Sequence, residues 1–198
     1  MQDTYTIRLT ALAVMTGTNR DKIRNMQNLD QMPWNEPDRA PGKNRAYGTR
    51  HALGLLIAES LTAQGLTNTE AGEAVRMHET AIELFLDDVD AGGTPAPRMV
   101  AMTKNLWRFP DTGESWVPTW IAGTGTPEEV ARVVQDEVHR AGRGVKVQDK
   151  WEWHLQGPFL ASQSINASYD ELKARAVRLG FVLGGRTLVA PDYTRGRA

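Results

Sequence analysis

Apolar and polar positions change their rhythm near the middle of the chain. Up to about residue 90 the apolar residues recur three and four apart, the spacing of one helix face; beyond residue 98 stretches of strict alternation set in. The first half therefore reads as helices. Leu12, Ala13 and Met15 make a short helix over 10–16 that Gly17 stops. Thr18 or Asn19 can cap the next helix, in which Ile23, Met26 and Leu29 lie three apart. A longer amphipathic helix over 51–64 ends at Gly65, and Thr67 or Asn68 caps a further one with Glu70 and Glu73 in its opening turns. In that helix Ala71, Val75, His78, Ile82, Phe85 and Val89 alternate steps of four and three, a short heptad seam that would pack and also contribute to a dimer. For His78 within it, a satisfied core histidine is favoured over a pH-sensitive element.

The second half mixes the two periods. Strands are expected over 98–109 and 115–122, joined by the turn Pro110-Asp111-Thr112-Gly113. Thr126-Pro127-Glu128-Glu129 opens a helix whose buried stripe is Val130, Val133, Val134 and Val138, stopped at Gly142. Residues 145–155 alternate, with Val145, Val147, Trp151, Trp153 and Leu155 on one face. Ser168-Tyr169-Asp170-Glu171 reads as a capping box for a helix to Leu179, and a last strand or tight hairpin follows from Phe181 to Val189. The order ββαβαβ implies an α+β fold with helices on one face of a largely antiparallel sheet. The Gly- and Pro-dense stretch 90–97 suggests a boundary, giving units 1–92 and 93–198.

Composition narrows the class. No apolar run reaches ~18 residues, so a membrane-spanning helix is not expected. The opening MQDTYTIRL lacks a basic stretch followed by an apolar one, so no secretory signal is expected and the cytoplasm is the default compartment. The absence of cysteine excludes disulfides, thiolate metal sites and a cysteine nucleophile. A net charge of −1 argues against a nucleic-acid partner until it is resolved along the chain. Residues 1–50 carry +3 and residues 51–100 carry −6, with the basic residues of the first block falling mainly between Arg20 and Arg50.

The helix opened at 18–19 would then carry Arg20, Lys22, Arg24, Asn25, Gln27 and Asn28 on its outer face, side chains that suit base edges and phosphates. Residues 35–50, polar and Pro/Gly-rich and basic at the end, read as a β-wing. In this order residues 5–78 resemble the MerR-type winged helix-turn-helix family of transcription regulators. Leu12-Ala13-Val14-Met15-Thr16-Gly17 matches the family's Leu-Ala-x-x-Thr-Gly turn, Arg24 the arginine seven residues on, Arg45-Ala46-Tyr47 the Arg-x-Tyr that ends the wing, and Gly65-Leu66-Thr67 the link to the capped fourth helix. Asn25-Met26 stands where the family carries an aromatic pair, Asp30 stands in place of a glycine, and the family's long antiparallel dimerisation helix has no counterpart. The resemblance implies a winged helix-turn-helix over 1–92 that docks on double-stranded DNA as a homodimer. Arg20, Lys22, Asn25 and Asn28 would point into the major groove, and Arg24, Lys43, Arg45 and Tyr47 would reach phosphates. For Arg45 and Tyr47 a structural role, tying the wing down, is the equal alternative.

The second half offers less chemistry. Gly123-Thr124-Gly125-Thr126 before a helix reads as a plain turn, since the full phosphate-binding fingerprints are missing. His139 and His154 have no partners at ligand spacing, so neither a metal nor a cofactor is expected. Ser162, Ser164, His154 and Asp149 lack the Gly-x-Ser-x-Gly of a hydrolase, so an enzyme is not the leading expectation. Five of the six tryptophans lie within 107–153, and Trp107, Trp116, Trp120, Trp151 and Trp153 would either fill a core or line a ligand pocket, the core being favoured. The leading expectation is a sequence-specific DNA-binding transcriptional regulator whose residues 93–198 form a sensor, partner-binding or dimerisation unit with a small-molecule effector as a candidate ligand. A phage-type DNA-packaging or recombination accessory is one alternative. A ligand-binding or enzymatic α+β unit with an N-terminal interaction module is the other.

Overall fold

Helical spacing in the first half becomes five helices in the computed structural model, which describes residues 7–35, 46–109, 113–121, 126–142 and 159–191. Helix α1 (Leu9–Thr16) ends at Gly17, whose φ of 72° is the left-handed cap that glycine accepts without strain. Helix α2 (Arg20–Asn28) starts at Asn19, whose side-chain oxygen accepts from the Asp21 and Lys22 amides at 2.7 and 3.4 Å. Ile23 and Met26 bury its inner face, but Leu29 is 64% exposed. The helix ends one residue before Leu29, which turns out of the expected row as the C-cap.

Helix α3 (Thr49–Ala63) begins two residues earlier than its pattern suggested. The Gly48 amide donates to His51 Nδ1 at 3.1 Å, so the histidine folds back on the helix start. This helix is the axis of the core. Leu53, Leu55, Ile57 and Leu61 are fully buried, each stabilising the fold by roughly 1.5–3 kcal/mol relative to exposure. Helix α4 (Asn68–Met77) is capped by Thr67, one of the two expected candidates, in a reciprocal box: Thr67 Oγ1 accepts from the Glu70 amide at 3.2 Å while Glu70 Oε2 accepts from the Thr67 amide at 2.8 Å.

The heptad seam is not one helix. It breaks at His78, which closes α4 and opens α5 (Glu79–Asp90) with φ −101° and ψ 14°. His78 is buried, and its Nδ1 lies 2.7 Å from the Ala74 carbonyl. Ala71, Val75, Ile82 and Phe85 are all buried in the chain's own core, so the seam is already filled from within.

In the second half, strand β1 (Met99–Phe109) pairs antiparallel with β2 (Gly113–Ile121) on one side and with β3 (Phe159–Ser164) on the other, in the order β2-β1-β3. Between them lies α6 (Pro127–Gly142), opened by a second reciprocal box between Thr126 and Glu129 at 2.9 and 3.3 Å. Helix α7 (Ile165–Leu179) follows β3 directly, and a small antiparallel hairpin of β4 (Val182–Leu183) and β5 (Leu188–Val189) closes the described chain. The fold is mixed α and β, with antiparallel pairing wherever strands are described.

Three expectations change here. Helix α7 starts at Ser164, whose Oγ accepts from the Ala167 amide at 3.2 Å. Ser168 lies inside the helix, buried, its Oγ donating to the Ser164 carbonyl at 2.9 Å; β3 runs straight into the helix and takes the cap four residues earlier. Over 100–103 strand β1 is buried on both faces, because Val100, Ala101, Met102 and Thr103 are all buried, and a stretch so placed has no solvent side. Helix α6 packs on β1 and β2, while α4 and α7 also pack on β1. Lastly, residues 91–98, a turn followed by a stretch without helix or strand, join the two halves without separating two cores. Val100, Met102, Ala161, Ile165, Tyr169 and Leu172 join the same apolar cluster as Leu12, Ile23, Leu53 and Phe85. The strand expected over 145–155 lies outside the described residues. Among the described residues no helix is long and apolar enough to cross a membrane.

Candidate nucleic-acid interface

Helix α2 is nine residues long and strongly two-faced. At 100° per residue, Ile23 and Met26 point inward, and the opposite side is centred on Asp21 and Asn28 with Arg24 and Asn25 beside them. Arg20, Arg24, Asn25 and Asn28 are all exposed. The side chains of Arg20, Asn25 and Asn28 make no hydrogen bond among the described residues. Arg24 lies 3.6 Å from Asp21, one turn away, with both side chains half or more in solvent; such a pair contributes little. Four polar side chains are thus displayed and almost uncommitted. Chemically the set can do two things: an amide can pair with the adenine edge, and a guanidinium can take a guanine edge or a phosphate in a bidentate manner.

Packing gives two of the expected contact residues partners within the molecule. Lys22 does not face outward with Arg20 and Asn28. It leans toward α3, its Nζ 2.7 Å from Glu59 Oε2, with both side chains about one-third exposed (35% and 30%). Tyr47 is 3% exposed, its side chain turned into the core. Its backbone forms an antiparallel bridge with Ile7, its hydroxyl accepts from Gln27 Nε2 at 2.7 Å, and its ring packs edge-on against Trp34 and His51. Of the two readings of Tyr47, the structural one fits this burial. Gln27 leaves the outer face for the same reason. Lys43 and Arg45 lie outside the described residues, as do Trp151 and Trp153. Trp107, Trp116 and Trp120 lie on β1 and β2; the register pairs Met102 with Trp120 and Leu106 with Trp116, but Trp107 with Ser115, a position of opposite parity.

The basic segment thus splits. Lys22 and Arg50 are committed inside the molecule, Arg50 to Glu79 at 2.5 Å and Glu83 at 3.1 Å, while Arg20 and Arg24 remain displayed. The acidic block is consumed in the same way. Along α5, Asp88 meets Arg98 at 3.2 Å, Asp87 meets Arg186 at 2.7 Å, and Asp90 accepts from the Arg186 amide at 3.1 Å. The hydrogen bond from Arg186, and then its charge, hold the Asp87 carboxyl below the ordinary carboxylate range. Burial, with Asp90 and Asp170 adding to it, pushes the Tyr169 hydroxyl above the usual tyrosine value.

Sequence reasoning missed the residues that frame α2. Arg76 of α4 donates to the Met32 carbonyl at 2.6 Å and holds the segment that leaves the helix. Asp30, in that segment, has a φ of 55°, a left-handed conformation that Asp and Asn tolerate better than most residues. Arg175 of α7 donates to the Thr16 carbonyl at the turn before α2. Nothing in the spacing of Arg76 or Arg175 announces these partners, which are 44 and 159 positions away. Among the described residues, no group of three or more His, Asp or Glu is arranged to hold a metal ion. No protein-family model matches the chain, and no curated protein matches it.

Proposed function

We propose that the protein binds double-stranded DNA in a sequence-specific manner, with α2 laid in the major groove, and acts as a transcriptional regulator. The observation that carries this reading is the outer face of α2. Arg20, Arg24, Asn25 and Asn28 stand exposed and nearly free of internal partners on the second helix of a pair joined by a left-handed glycine. An α-helix matches the width of the major groove, and these four side chains cover both phosphate and base-edge contacts.

Three further features support it. The Ile7–Tyr47 bridge sets the residues just before α1 against those just before α3. The order α1, turn, α2, bridge, α3, α4 follows the winged unit that the sequence resembles. Asp30, standing where that family carries glycine, takes the backbone conformation for which glycine is ordinarily used. In this reading the segment from β1 onward serves as the sensor or assembly part, and the protein binds its site as a homodimer.

Fluorescence anisotropy of a labelled random duplex, titrated with salt, tests the reading. The logarithm of affinity should fall linearly with the logarithm of salt, and Arg24→Ala should flatten that slope by about one unit. Binding that does not depend on salt, or no binding, overturns it. Selection of bound sequences from random DNA then tests specificity.

A further inference from the structure

The turn between α1 and α2 is held from a distance. Within it, Thr16 Oγ1 donates to the Leu12 carbonyl at 2.9 Å and Asn19 caps α2, both local contacts. Among the described residues, the polar contact that reaches residues 16–19 from outside the helix pair comes from Arg175, whose Nη1 donates to the Thr16 carbonyl. That carbonyl is one of the acceptors a helix C-terminus leaves unfilled, and a cation there is also favoured by the negative end of the helix dipole. The other arm of the guanidinium is fixed by Glu171, 2.5 Å away on the same helix. The fit is close: a Cβ built on Gly17, whose φ is +72°, would lie 2.7 Å from Arg175 Nη1, so a side chain there would push the guanidinium tip aside.

The helix that carries the clamp is itself stitched to the sheet. The Ile165 amide donates to the Arg98 carbonyl at 2.9 Å, and Asn166 Oδ1 accepts from the Arg98 amide at 3.0 Å. Leu172 and Ala176, on the same helix as Arg175, are buried, and α7 packs on α1 and α3. The base of the sheet, α7, the guanidinium and the turn thus form one continuous chain of contacts.

We propose that Arg175 is a positioning residue for DNA reading, fixing from α7 the angle at which α2 leaves the turn. The inference rests on the reading of α2 given above. Base-edge contacts depend on that angle, whereas contacts to phosphates carry no sequence information and tolerate small displacements. Loss of the clamp therefore removes specificity and spares electrostatic affinity.

The test compares full-length wild type with Arg175→Ala and Arg175→Lys on a selected sequence and on random duplex. Lysine keeps the charge and the aliphatic stem but lacks the fork that spans Thr16 and Glu171. It serves as the variant that retains folding. Both variants should lose about tenfold in affinity for the selected sequence, with random-duplex affinity and salt slope unchanged. In the free protein, hydrogen exchange at the amides of 17–23 should quicken while that of α5 stays as it was. Equal losses on both DNAs, no loss on either, or unchanged exchange at the turn overturns the role of Arg175 and leaves the DNA reading standing. A wild type that binds no duplex overturns the DNA reading instead.

Discussion

Helices α2 and α5 both carry rows of charged and polar side chains, but only one of them has its charges answered within the molecule. All five acids of α5 meet an arginine or its amide from another element: Arg50 of α3 takes Glu79 and Glu83, Arg98 takes Asp88, and Arg186 takes Asp87 and Asp90. On α2 the committed charge is Lys22, at the flank beside α3, while Arg20 and Arg24 are left to solvent. The two blocks looked alike along the chain, each with an excess of one sign. What separates them is whether the fold delivers a counter-charge. A charge run that finds its partners at home is part of the fold; a run that does not is available to something else.

The comparison can be broken from the α5 side first. Phe85 is buried and packs edge-on against Tyr169 at 5.3 Å, so α5 is held mainly by its apolar stripe. Phe85→Ala should lower stability by about 3–5 kcal/mol, read from the denaturant midpoint, whereas a loss under 1 kcal/mol would show that the arginines alone hold the helix. Arg50→Met should follow at about 1–2 kcal/mol, because it strands Glu79 and Glu83 at partly buried positions. DNA affinity should not change in that variant.

On the α2 side, Arg20→Ala and Arg24→Ala should leave stability within about 0.5 kcal/mol of wild type while weakening duplex binding; a larger stability loss would mean that these side chains belong to the fold after all. The smallest effect concerns pH. Because the folded-state pKa of Asp87 is depressed, its contribution is present above the unfolded carboxylate value and is lost as pH falls through the folded one. Stability against acid should therefore decline less steeply in Arg186→Gln than in wild type over that acidic range.

Local signals were legible where they are set by neighbours in the chain. Of the capping candidates Thr18 or Asn19 and Thr67 or Asn68, Asn19 and Thr67 take the caps, Thr126 caps α6, Gly17 stops α1, and β1 and β2 pair antiparallel as expected, because caps are closed by residues a few positions away. The readings that changed concern which face meets what. Ser168 was a sound capping residue in the wrong register, displaced by Ser164 at the end of β3. The apolar seam through His78 repeats every three and four residues, but the break at His78 is visible in φ and ψ and not in hydropathy. Tyr47 and Lys22 read as DNA contacts by position, and packing turned both inward.

Composition excluded thiol chemistry outright, and residue order alone placed a glycine-stopped helix before a capped basic one. Those features need only the chain and its nearest neighbours. Which of the basic residues are spent, which helix clamps the turn, and that the two halves share one core depend on contacts across tens to more than a hundred positions. Such pairings follow from how faces fit together in three dimensions, and no spacing along the chain encodes Arg175 against Thr16 or Arg186 against Asp87.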